Sequence, residues 1–210
     1  MKYIIDNEEY DVVIEKKNNK NTYIRIKDDL TIHVTTNFLV TNNYIKKLLD
    51  NNYEFLKKNI ERLKIRQEKD KQFYYLGQVY DIIIIDIKKI EIIDNRIYVK
   101  SNELLNRWLK KEIKRVFSER LAIIYSQFEE NIPYPNLRIR KMKTRWGVCN
   151  KKTETVTLNS ELIKYSIDKL DYVIVHELSH FIHFNHSKDF WKLVSKYCPK
   201  YKNIKKELRD

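Results

Sequence analysis

The run Tyr172-Val173-Ile174-Val175-His176-Glu177-Leu178-Ser179-His180-Phe181-Ile182-His183-Phe184-Asn185-His186 constrains this chain more than any other segment. It sets four imidazoles and a carboxylate inside an apolar stretch, where burying unpaired polar groups is costly. A solvated surface helix would not be written this way. His176 and His180, four residues apart, share one helical face, where both imidazoles reach a single metal ion. Glu177 between them can hold and deprotonate a metal-bound water. The helix is expected over about Ile167–Phe184, with Ser166 or Asp168 as its N-cap.

The third ligand follows from axial distance. His183 falls on the same stripe, yet seven residues at ~1.5 Å rise carry it roughly 10 Å from His176 along the axis. Ligands on one tetrahedral zinc, at ~2.0–2.1 Å bond lengths, lie only about 3.3 Å apart. A chain reversal at Asn185, in a left-handed C-cap geometry, presents His186 instead. The expected set is His176, His180 and His186 around Zn2+, with His183 at the rim or in an outer position.

Several segments occur in a telling order: Met142-Lys143-Thr144-Arg145-Trp146-Gly147, Thr157-Leu158-Asn159-Ser160-Glu161-Leu162, the HExxH stretch from Asp171 to His180, and Asn185-His186-Ser187-Lys188-Asp189-Phe190-Trp191. Together with Tyr75-Leu76-Gly77 and Tyr80, they resemble the YgjP-like family of metal-dependent hydrolases, relatives of the SprT-like and WLM zinc proteases. Val148 stands where that family usually has a small hydroxyl residue. The resemblance implies a zincin-like catalytic domain, with the three histidines as ligands and Glu177 as catalytic base.

A chain of 210 residues accommodates one large domain or two small ones. No apolar run of about 18 residues is present, which argues against a membrane helix. The opening Met1-Lys2-Tyr3-Ile4-Ile5-Asp6 meets an acidic residue too early for a signal peptide. Cys149 and Cys198 are too few for a disulfide framework, so a reduced, cytoplasmic chain is expected. Residues 1–100 carry 19 Lys/Arg against 16 Asp/Glu, and residues 101–210 carry 23 against 13. That surplus either draws in an anionic nucleotide or nucleic acid or is a solvated lysine coat.

The expected fold class is α+β. Residues 1–100 read as a β-rich region, with strands at Tyr10–Glu15, Thr22–Lys27 and Thr31–Thr35 and further strands at Val79–Ile87, Ile90–Ile93 and Ile97–Val99. One helix is expected between them, over residues 41–69, with Thr41 as a possible cap. Residues 101–210 read as the zincin-like domain. A long amphipathic helix over residues 102–130 precedes a strand at Leu137–Met142, with Thr155–Leu158 as its hairpin partner. Ser187 is a candidate cap for a last helix that carries Phe190, Trp191 and Val194 inward.

Around the motif, Arg145 could stabilise oxyanion charge or pair with a carboxylate. Asn159 reads as a bridge to loop backbone, and Asp171 and Asp189 as candidate acceptors for the far nitrogens of the histidines. Trp146 and Trp191 read as core, His33 as a strand residue without chemistry. These residues point to a zinc-dependent hydrolase, foremost a metallopeptidase acting on protein or peptide. The alternatives are a nucleoside triphosphate pyrophosphohydrolase, or a metal-stabilised nucleic-acid-binding module without turnover.

Overall fold

Asp6 and Asn7, at φ 50° and 66°, reverse the chain between β1 (Lys2–Ile5) and β2 (Glu8–Lys16). Two consecutive left-handed residues make the tight hairpin turn whose twist matches the flanking strands. Beyond it, β4 (Ile32–Thr36) runs parallel to β2, and β3 (Tyr23–Ile26) pairs antiparallel with β4, giving the order β1-β2-β4-β3. Ile32, Val34 and Thr36 point inward while His33 and Thr35 do not, the period-2 alternation of a one-sided sheet. Two helices bury Ile45, Leu49, Leu56 and Ile60 against Tyr3, Ile5, Tyr10 and Val12. These are α1 (Asn42–Asn51), capped by Thr41 Oγ1 accepting from Tyr44 N at 3.3 Å, and α2 (Tyr53–Asp70). The single helix expected over residues 41–69 is therefore two. It breaks at Asn52, whose side chain donates to Leu48 O at 2.7 Å and competes with the backbone ladder.

The structure is a computed structural model describing residues 1–208, and it forms two compact units, Met1–Lys71 and Gln72–Asp210. The division falls at Lys71/Gln72 rather than at the expected 100/101, and the last two residues of the expected 101–210 domain lie outside the described residues. The reason is packing. In the second unit, β5 (Phe73–Tyr75), β6 (Gln78–Ile84), β7 (Glu91–Ile93) and β8 (Arg96–Val99) form a sheet in the order β5-β6-β8-β7. Tyr75 from that sheet packs against Trp108 with the rings tilted at 54° and their centroids 5.2 Å apart, and it donates its hydroxyl to Glu112 at 2.7 Å. Both partners belong to α3 (Asn102–Gln127), so residues 72–100 share a core with the carboxy-terminal half of the chain.

Helix α3 starts on Ser101, which accepts from Leu104 N at 3.4 Å. It buries Leu105, Ile113, Val116, Phe117, Leu121 and Ile124 at three- and four-residue spacing. A three-stranded sheet comes next, made of β9 (Asn136–Arg140), β10 (Gly147–Asn150) and β11 (Thr155–Asn159), with β11 central. Thr155–Leu158 is not a hairpin partner of the preceding strand: β11 runs parallel to β9, and its antiparallel partner is β10. Strand β10 has no counterpart among the expected elements because four residues beginning with glycine carry no alternating pattern. Behind this sheet lie α4 (Ile167–Ser179), α5 (Lys188–Tyr197) and α6 (Tyr201–Glu207). The architecture is mixed α+β, and among the described residues no helix is long and apolar enough to cross a membrane.

Candidate metal centre

Helix α4 buries Leu170, Val173, Ile174, Val175 and Leu178, which fixes the face on which His176 must emerge. It stops at Ser179, five residues before the expected end. Phe181 N bonds Leu178 O at 3.0 Å and Ile182 N bonds Ser179 O at 3.1 Å, so the last turns tighten to three-residue closures. The chain reverses through these turns. Asn185 is not among the residues with positive φ, so the left-handed cap expected there is not used. Ser187 then caps α5 by accepting from Phe190 N at 3.3 Å, which anchors the returning segment directly after His186.

This path brings His176, His180 and His186 together, with one ring nitrogen from each lying within 4.8 Å of the others. His176 Nε2 and His186 Nε2 are 3.1 Å apart. That is close to the roughly 3.3 Å edge of a tetrahedral zinc site, and it suits two lone pairs directed at one cation. His180 Nδ1 lies 3.1 Å from the His183 carbonyl, which fixes the proton on Nδ1 and frees Nε2. His183 thus contributes backbone, and its ring is not part of the cluster.

Burial pushes the pKa of all three imidazoles down, that of His176 to about 3, with the Lys205 charge adding to the effect at His176 and His186. Neutral imidazoles are the form that binds metal. The donor set, its protonation state and its spacing fit a divalent transition metal. Phe190 backs the trio, its ring centroid 4.9 Å from His176, 4.6 Å from His180 and 4.8 Å from His186. Trp191 stacks on His186 at 5.6 Å and on Tyr201 at 5.2 Å. Helical spacing alone assigns Phe190 and Trp191 to the core; their contact with the histidines depends on a helix crossing that spacing does not reveal.

Glu177 is only 5% exposed. Burial pushes its pKa up to about 8, opposed by the Cys149 amide, which donates to the carboxylate, and by the charge of Arg145. Arg145 itself is exposed. Its backbone is held by Asn159, whose Nδ2 donates to Arg145 O at 3.0 Å and to Met142 O at 2.9 Å. Asn159 Oδ1 accepts from Met142 N and Glu161 N, both at 3.2 Å, so this buried side chain clamps the loop before β10.

Two expected acceptors go elsewhere. Asp171 forms a two-pronged pair with Arg120 of α3 at 2.8 and 2.7 Å, because it leaves α4 on the side facing that helix. Asp189 sits exposed in the first turn of α5. His176 Nδ1 is buried without a hydrogen-bond partner among the described residues.

Neutral nitrogen donors converging beside a carboxylate that burial inclines to take up a proton suit the activation of water, and the protein is a metal-dependent hydrolase. It belongs to the YgjP-like family, whose metallopeptidase-domain model matches residues 20–210. Similar solved structures include the metallopeptidase zymogen abylysin of Pyrococcus abyssi, at 24% identity over 46% of this chain and 90% of that one, TM-score 0.36. The zymogen jannalysin of Methanocaldococcus jannaschii matches at 27% identity over 46% and 92%, also with TM-score 0.36. No curated protein matches the chain.

Proposed function

We propose that the protein is a zinc-dependent peptidase in which His176, His180 and His186 hold the metal and Glu177 is the general base. The observation that carries this reading is the convergence of three neutral imidazoles, from α4 and the segment that follows it, with the buried Glu177 carboxylate of α4 next to His176 in the chain. Three nitrogen donors of this softness suit zinc. When bound, the metal would polarise the scissile carbonyl and lower the pKa of water.

Everything else falls to the chain. Glu177, desolvated and receptive to a proton, takes one from the attacking water at a carboxylate oxygen and returns it to the leaving amine. The Cys149 amide keeps the carboxylate in place between these transfers. Arg145, whose charge reaches Glu177, adds positive potential where the carbonyl oxygen becomes negative. Phe190 and Trp191 hold the imidazoles and keep water from the back of the site.

Casein and short peptides, offered to zinc-loaded protein and to Glu177→Gln, test the reading. The variant keeps its zinc and loses hydrolysis by about 10²–10⁴-fold. Equal turnover by both proteins removes Glu177 from the role. Pyrophosphate release from nucleoside triphosphates without peptide cleavage overturns the peptidase assignment.

A further inference from the structure

The chain contains two glycines, and they are there for different reasons. Gly77 has φ +85°, a conformation that other residues adopt only with strain. Gly147 is not among the residues of positive φ, so the backbone does not demand glycine there. Space does. A Cβ on Gly147 would lie 2.4 Å from Glu177 Oε1, 2.6 Å from Cγ and 2.7 Å from Cδ, and these are its three nearest atoms.

The ladder pattern explains the other half of the arrangement. Asn159 N donates to Trp146 O at 2.9 Å, and Gly147 pairs with Leu158 and Cys149 with Val156. In an antiparallel pair the bonded positions alternate, so Val148 bonds to β11 while the Gly147 and Cys149 amides face the open edge. The Cys149 amide is therefore available, and the Glu177 carboxylate takes it. The strand cannot readily retreat from a bulkier residue, because the Asn159 clamp fixes Met142 and Arg145 just upstream.

We propose that the start of β10 is a seat for the Glu177 carboxylate, with Gly147 as a positioning residue whose absent side chain is the space that Glu177 fills. The inference rests on Glu177 being the base and adds what holds it in line. Any side chain at position 147 drives the carboxylate to another rotamer and away from the Cys149 amide. The metal ligands, which come from α4 and the segment after it, stay where they are.

The test compares the wild-type protein with Gly147→Ala, Glu177→Ala, the double variant and Glu177→Gln. Three quantities are read: zinc affinity by chelator competition, the thermal unfolding midpoint, and kcat and KM on casein. Gly147→Ala keeps its zinc affinity within about twofold. Its kcat falls about 100-fold, the scale of a misplaced catalytic group, while KM holds within about twofold. Its midpoint drops when residue 177 is Glu and does not drop when residue 177 is Ala, because the clash has then been removed.

An equal drop in both backgrounds overturns the seat, as does wild-type kcat in Gly147→Ala when Glu177→Gln is inactive. If Gly147→Ala does not fold, folding of the double variant supports the seat and its failure overturns it. Failure of the base assignment looks different: Glu177→Gln turns over normally while the thermal coupling persists. Should casein resist the wild-type protein, the coupling alone decides the seat.

Discussion

Residues 1–71 and residues 72–210 draw on the same β-branched and aromatic stock, yet they bury different things. Among the described residues the first unit encloses one polar side chain, Thr36, bonded to Thr22 Oγ1 at 2.7 Å. The second encloses Thr155, Asn159, Glu177 and Ser179. Ser179 donates to Val175 O at 2.7 Å and Asn159 makes four bonds, so both are satisfied locally. Glu177 is different. Its ionised form has lost most of its hydration and is left with an amide and a distant cation. A core that keeps such a group has been shaped for more than stability. The first unit teaches what burial looks like when only packing is at stake.

The contrast can be broken most sharply at the metal. His186→Ala lowers zinc affinity by more than about 100-fold, beyond the usual cost of an outer partner, while His183→Ala leaves it within about twofold. Chelator competition measures both, and equal losses would mean that the imidazole trio is not the binding unit.

A second comparison sets packing against chemistry. Leu49→Ala, in the fully buried core of the first unit, costs about 3 kcal/mol in denaturant unfolding and leaves zinc affinity unchanged. A matching loss of zinc would erase the distinction between a packing unit and a chemical one.

The smallest effect is a pH dependence within the second unit. Arg115 hydrogen bonds hold the Glu112 pKa below its ordinary value of 4.5, and Tyr75 adds to this. A folded-state pKa below the unfolded one stabilises the fold above about pH 4.5, and that contribution disappears as pH falls through the folded value. Glu112→Gln therefore flattens the acid limb of the stability curve. An unchanged limb would show that the ion pair contributes nothing there.

Much of the fold is legible in residue order. The apolar spacing of α3 locates its start and its buried face, and the left-handed residues Asp94 and Asn95 fall in the gap between the expected strands Ile90–Ile93 and Ile97–Val99. The strands of the first unit show through their alternation. Other elements are hidden for physical reasons. β1 is short and carries little pattern of its own, and β10 begins with a glycine chosen for its neighbour across the fold. The end of α4 is not where apolar spacing puts it, because helical propensity continues through Phe181 and Ile182, whereas the amides of residues 180–182 each bond the carbonyl three residues back. Asp171 looks available to a histidine until Arg120 claims it.

What the sequence determined by itself is local. A four-residue spacing puts His176 and His180 on one face of a helix, and axial rise makes His183 a poor third donor, since both follow from helix geometry alone. The tertiary structure decided the rest. The turns after Ser179 and the docking of α5 bring His186 within 3.1 Å of His176. The approach of β10 to α4 leaves room for the Glu177 carboxylate only because Gly147 carries no side chain. These contacts join residues remote in sequence, and their distances are set by how closely a helix and a strand can pack, which no local spacing encodes.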